Sequence, residues 1–266
     1  MAENLSRSPI KLPSLRHPGQ SLDEQIDDLA NDKLLFPMML ATMLIVFAAY
    51  DWWAWYQATI PNPILMTGAA LLVVIWSVWR VLALRKQLRS LRQARAGERA
   101  VGQELDKLVA MQGRVFHDIL GPNFNVDHVF VAPQGVFAIE TKTWSLPEGR
   151  AANIDIEGDA LVAAGYPPER DPLRQCLAQA RWVQEVLKRS AGRDFPVRGV
   201  LLFPGWFVEP RALGYAKTKG AWILNPKALP SFLEHEHPVL SPEDVSLASF
   251  HLSRFIRTGG DRLQDA

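Results

Sequence analysis

Cysteine is nearly absent from this 266-residue chain: Cys176 stands alone, which excludes an internal disulfide and a cysteine-rich zinc site and suits a reducing compartment. Charge of one sign is scarce too, since 29 Lys and Arg against 28 Asp and Glu leave a net charge of +1. From residue 100 onward, 18 basic residues face 20 acidic ones, so any nucleic-acid contact must rely on a local patch and not on a generally basic body. No Walker, dinucleotide-binding or serine-hydrolase motif occurs. The run EHEH at 234–237 precedes Pro238 without a partner cluster and reads as a surface loop, while His117 and His128 each stand alone.

Apolar residues are plentiful, at 48%, and unevenly spread. The runs 34–50 and 64–84 are almost wholly apolar, with Arg80 the one charged residue in either. Because about 20 apolar residues span a bilayer core and about 17 can suffice, the spacing predicts two transmembrane helices. Trp52, Trp53, Trp55 and Tyr56 between them suit an interfacial aromatic belt. Arg80, Arg85, Lys86, Arg89, Arg92, Arg95 and Arg99 line the end of the second run and the stretch just after it, whereas the connection carries only Asp51. That asymmetry predicts a multi-pass protein of the plasma (inner) membrane with both termini cytoplasmic, and a basic juxtamembrane helix over 85–96 in contact with the lipid bilayer. A polar leader with Asp23, Glu24, Asp27, Asp28 and Asp32 argues against a cleaved signal peptide. Within the expected cytoplasmic tail, 1–33, residues 1–20 read as mobile and 21–33 as a helix with Ser21 as N-cap and Glu24 in the capping box. Pro61 and Pro63 favour a fresh helix start near Ile64, and one helix is expected to run from the second span into the cytoplasm.

The chemistry concentrates in 125–144, NVDHVFVAPQGVFAIETKTW. Two strand-like runs flank the turn Ala132-Pro133-Gln134-Gly135, with Pro at its second place and Gly at its fourth. Strand side chains alternate, so Glu140 and Lys142 share a face roughly 6.5 to 7 Å apart. If Ala132 lies opposite Gly135, Asp127 lies opposite Glu140, about 4.5 to 5.5 Å away between Cβ atoms, where like charges repel and a cation is welcome. Mg²⁺ is commonly held by one or two carboxylates plus waters and phosphates. Two alternatives stay open: a solvent-facing ladder in which Lys142 merely pairs with Glu140, and a bulged turn that shifts the register by one and turns Asp127 away.

Further along, 161–168 reads as turn, and Asp171-Pro172 opens an amphipathic helix with Leu173, Cys176, Leu177, Ala180, Val183, Val186 and Leu187 inward and Gly192 as its stop. Gln175 and Gln179 lie one turn apart beside its apolar stripe. Residues 197–208 and 221–224 read as buried strands, giving an α/β domain with a mixed sheet. On the helix preceding the hairpin, Glu98 and Glu104 flank the stripe Val101, Leu105 and Leu108, and periodicity does not choose between them as the inward-facing acid.

GERAVGQEL, then the central block, then DPLRQCLAQARWVQEVL, in that order, resemble the NERD (nuclease-related) domain, a branch of the PD-(D/E)XK nuclease superfamily. The resemblance covers 97–233, leaving 234–266 as a C-terminal extension. It implies a restriction-endonuclease-like mixed sheet flanked by helices, here preceded by a transmembrane hairpin over 34–84, and a Mg²⁺- or Mn²⁺-dependent hydrolase of nucleic acid, DNA in particular. Carried over, Asp127 and Glu140 are metal ligands, Lys142 the catalytic lysine, Glu98 the helix acid and Gln175 the polar residue of the next helix. The alternative is a catalytically silent module that holds DNA or a protein partner at the membrane.

Overall fold

The structure, a computed structural model, describes residues 15–58, 63–111 and 113–258. Of the mobile tail expected over 1–20, residues 1–14 lie outside the described residues, as does the part given to Pro61, whereas Arg16 and Pro18 are held against Asp118 and Gly102. The described chain divides into two compact units, one within residues 21–95 and one that joins 15–20 to 96–258.

In the first unit, α1 (Gln20–Asp28) continues through a π-helical stretch, Leu29–Leu35, into α2 (Phe36–Tyr56), and α3 (Ile64–Lys107) starts after the connection, its residues from 96 on belonging to the second unit. Ser21 therefore lies inside a helix and does not cap one, whereas the fresh start at Ile64 is observed. Ser77 Oγ donates to the Pro37 carbonyl at 2.9 Å and the Trp52 indole N–H donates to Thr67 Oγ1 at 2.8 Å. Both helices are long and apolar enough to cross a membrane by length and composition. Their side chains are not those of a soluble core helix, because Phe36, Leu65 and Leu72 are 65%, 87% and 70% exposed.

The second unit is built on a mixed sheet of five strands, β1 (Arg114–Leu120), β2 (Asn125–Ala132), β3 (Gly135–Thr141), β6 (Val197–Leu202) and β8 (Ala221–Leu224), in the order β1-β2-β3-β6-β8. The first three are antiparallel, and β6 and β8 run parallel to β3. Parallel neighbours need a crossover, which α4 (Pro172–Ala191) supplies between β3 and β6, and α5 (Pro210–Thr218) between β6 and β8. The local signals for α4 act as read: the Asp171 carboxylate accepts from the Leu173 and Arg174 amides at 3.0 and 3.2 Å, and Gly192 ends the helix at φ +67°. A cap of this kind contributes about 1 kcal/mol.

One sheet face packs Val129, Val131, Val136 and Ala138 against α4 and α7 (Pro242–Arg257). The other packs Phe130, Ala132, Phe137 and Ile139 against Val101, Leu105 and Leu108 and against α6 (Leu229–Glu234). Residues 234–266 thus include α7, which supplies Val245, Ala248, Leu252 and Phe255 to the same core. EHEH begins on the last residue of α6, Glu234, and runs on at the surface, where Glu236 takes a 2.8 Å ion pair from Arg198.

A second sheet was not legible: β4 (Asn153–Glu157), β5 (Ala160–Ala163) and β7 (Phe207–Val208), in the order β5-β4-β7. The stretch expected as turn over 161–168 begins instead with β5, because Leu161 and Val162 are buried, Leu161 against a cluster holding Ile154, Phe203 and Trp206. The run expected as one strand over 197–208 splits at Pro204 and Gly205, whose φ is +80°.

Candidate functional site

The hairpin register decides the site. Ala132 pairs with Gly135, and each pair back to His128 with Ile139 keeps that spacing, so no bulge intervenes and Asp127 is next in line with Glu140. Asp127 and Glu140 share the face of Val129 and Ala138, toward α4. A solvent-facing ladder is excluded, because Asp127 is 6% and Glu140 3% exposed.

Helix α4 answers Glu140 with amides one turn apart. Gln175 Nε2 donates to Glu140 Oε1 at 2.8 Å and Gln179 Nε2 donates to Oε2 at 2.6 Å. Lys142 Nζ donates to the same Oε1 at 2.5 Å and to Gln175 Oε1 at 3.0 Å. Asp127 Oδ2 accepts the Thr141 amide at 2.7 Å, which ties the two strands together at the acids. Helix packing is close here: Cys176 lies against Gly199 of β6, where an added Cβ would come within 2.9 Å of its sulfur.

Glu98 is buried, whereas the Glu104 side chain is 56% exposed and pairs with Lys107 at 2.7 Å. Gly97 permits the approach of Glu98, since a Cβ at that position would lie 1.7 Å from Thr143 Oγ1. Burial first, then the charges of Asp118 and Glu140, push the Glu98 carboxyl up to about 8. Burial first, then Glu140 and Glu98, likewise hold Asp127 well above the usual carboxylate range. Like charges crowded in a dry pocket favour the protonated acids, and a cation reverses that preference.

Three residues not singled out as site members from the sequence belong to this cluster. Asp118 on β1 is fully buried, has φ +50° between the pairs His117–His128 and Ile119–Val126, and presses electrostatically on Glu98. Asn125 Nδ2 donates to Asp118 Oδ1 at 2.9 Å, and the Asn125 carbonyl accepts from Gln179 at 2.9 Å. Arg16 places Nε and Nη2 each 2.8 Å from Asp118 Oδ2. A period-2 reading of RVFHDIL before the GPN turn could have found Asp118, by the same logic that paired the central hairpin. No local signal exists for Arg16, 102 residues away.

His117 and His128, each read as solitary, touch across β1 and β2 with Nδ1 atoms 2.9 Å apart. One must donate and the other accept. His128 faces away from Asp127, as alternation requires, and burial followed by the charge of His117 pushes it down to about 3.

Among the described residues, no three His, Cys, Asp or Glu side chains are arranged to hold one metal ion. The donor chemistry nonetheless suits a hydrated hard cation. Glu98 Oε2, Thr141 Oγ1 and Gln179 Oε1 are buried oxygens with no hydrogen-bond partner, a state that bound waters relieve.

Protein VC1899 from Vibrio cholerae, a solved structure, aligns at 13% identity over 88% of this chain and 58% of its own, with a TM-score of 0.26. The chain therefore spans less than two thirds of that protein's length. No curated protein matches. Residues 93–204 match the family model of the nuclease-related domain, NERD, a stretch that holds Glu98, Asp118, Asp127, Glu140, Lys142, Gln175 and Gln179 but not Arg16.

Proposed function

We propose that this protein is a membrane-anchored nuclease, dependent on Mg²⁺ or Mn²⁺, that hydrolyses phosphodiester bonds of nucleic acid, DNA in the first instance, on the cytoplasmic face. The observation that carries the reading is the convergence of Asp127, Glu140 and Lys142 from one hairpin with Gln175 from α4 and the buried Glu98 from α3. Asp127 and Glu140 would hold the cation, which supplies neutralisation of phosphate charge and a water of lowered pKa. Attack is in line: a water oxygen bonds to phosphorus as the bond to the leaving oxygen breaks. Lys142 Nζ, fixed by Glu140 and Gln175, stands near the attacking water and offsets negative charge growing on the phosphoryl oxygens. Glu98 and Gln175 orient waters or the nucleic-acid backbone. The two apolar helices support the anchor, and the arginines at and after the end of the second apolar run support the side.

A second reading has its own support. Lys142, Glu140 and Gln175 form a closed triangle in which each bonds the other two, as in a structural ion pair. That is the expectation for a silent nuclease-like module that holds DNA or a protein partner. Cleavage of plasmid and oligonucleotides by the full chain in detergent, with Mg²⁺ or Mn²⁺, separates the two. The nuclease reading expects cleavage that is lost in Asp127→Ala and Lys142→Ala; equal activity in both variants would overturn it.

A further inference from the structure

The nuclease-like unit includes a segment that precedes both apolar helices. Residues 15–20 belong to the same compact unit as 96–258, and Pro18 lies so close to Gly102 that a Cβ there would meet its ring at 2.6 Å. Two residues earlier, Arg16 sits on Asp118 with its side chain 16% exposed.

We propose that Arg16 is a positioning residue of the candidate site, acting on Glu140 through Asp118, Asn125 and Gln179. The proposal rests on reading Glu140 as a working residue of a nuclease. Each link is a direct contact. Arg16 clamps Asp118 Oδ2 with two nitrogens at 2.8 Å, and Asn125 Nδ2 holds the other carboxylate oxygen at 2.9 Å. The Asn125 carbonyl then takes one Gln179 amide hydrogen at 2.9 Å, and Glu140 Oε2 takes the other at 2.6 Å. The Gln179 amide has two N–H groups and both are spent; Asn125 is the first residue of β2, so freeing its side chain loosens the strand end whose main-chain carbonyl sets that amide against Glu140. Asp118 is fully buried, which makes its positive partner matter: without it the carboxylate is free to turn, and that releases the Asn125 side chain. A guanidinium suits this place because two of its N–H groups converge on one oxygen, whereas a lysine brings a single ammonium. A fragment cut at the start of the family match, residue 93, lacks Arg16 and loses the clamp.

The test uses the full chain in detergent micelles. Arg16→Ala is expected to lower kcat by about 10- to 100-fold, the usual cost of a supporting residue behind a ligand, with KM nearly unchanged. Arg16→Lys keeps a charge on Asp118, guards against failure to fold, and is expected to recover part of the loss. With Gln179→Ala added, the combined loss should match the larger single loss, since both variants break the same relay. Selective ¹⁵N-glutamine labelling supplies a readout independent of activity. The side-chain amide signal of Gln179, assigned by its disappearance in Gln179→Met, is expected to shift in Arg16→Ala. An unmoved Gln179 signal overturns the proposal whatever the activity. Wild-type kcat in Arg16→Ala, with Asp127→Ala inactive, overturns it while leaving the nuclease reading intact. A shifted signal in a protein that cleaves nothing supports the relay and overturns the nuclease reading alone.

Discussion

Replacing Glu98 by glutamine should make the metal-free protein more stable in alkali and leave it little changed in acid. The Glu98 carboxyl, 7% exposed, is raised from its ordinary value of 4.5 to about 8 in the folded chain. An acid of this kind favours the folded state fully below its unfolded pKa, and that contribution is lost as pH rises through the folded one. The window therefore runs from pH 4.5 to about 8. At about 1.4 kcal/mol per unit the full shift corresponds to about 5 kcal/mol, an upper figure because the charges of Asp118, Glu140 and Lys142 act on this carboxyl together. A gain of about 2 to 4 kcal/mol for Glu98→Gln at pH 8.5 is the working expectation. Urea unfolding of the full chain in detergent with EDTA, tracked by intrinsic fluorescence from pH 4.5 to 9, measures it. A difference between variant and wild type that stays flat across this range, or a variant less stable at pH 8.5, would refute the account of Glu98 as a buried acid crowded by Asp118 and Glu140.

The same packing makes other outcomes testable. Gly97→Ala forces a methyl group into Thr143, so it should cost about 1 to 3 kcal/mol by overpacking and, by pushing Glu98 away, lower cleavage as well. Gly199→Ala, which crowds the Cys176 sulfur at 2.9 Å, should lower the unfolding midpoint, and Cys176→Ala in the same chain should restore part of it. His128 titrates in the opposite sense to Glu98. Its folded pKa is depressed to about 3, so the stability it contributes is full above about 6.5 and is lost as pH falls toward 3. His128→Leu should therefore flatten the acid limb of the stability profile, and an unchanged limb would show that the pair with His117 does not set it.

Much of the fold could be read locally, for reasons visible in particular residues. Asp171, Pro172 and Gly192 bound α4 because capping and left-handed backbone are properties of a few adjacent residues. The short strands β4 and β5 escaped because four or five residues flanked by Gly158 and Gly165 carry too little alternation, and only burial against Phe203 and Trp206 makes them strands. Helix α7 went unread because its capping box, Ser241 with Asp244, lies beyond the stretch that the resemblance covers.

The sequence by itself determined the central hairpin. The turn Ala132 to Gly135 and the two-residue period put Glu140 and Lys142 on one face, but left two registers for Asp127, between which the observed pairing of Ala132 with Gly135 decided. It also determined the two long apolar helices, since about twenty apolar residues in a row are a matter of composition alone. Tertiary structure decided what surrounds those acids. Glu98 and Glu104 flank the same stripe, and only the Gly97 approach to Thr143 sends one inward while the other pairs with Lys107 in solvent. Asp118 and Arg16 meet across 102 residues, and Asn125 and Gln179 across 54. Contacts at such separations leave no period and no spacing in the chain, because they depend on how finished elements pack and not on how each one forms.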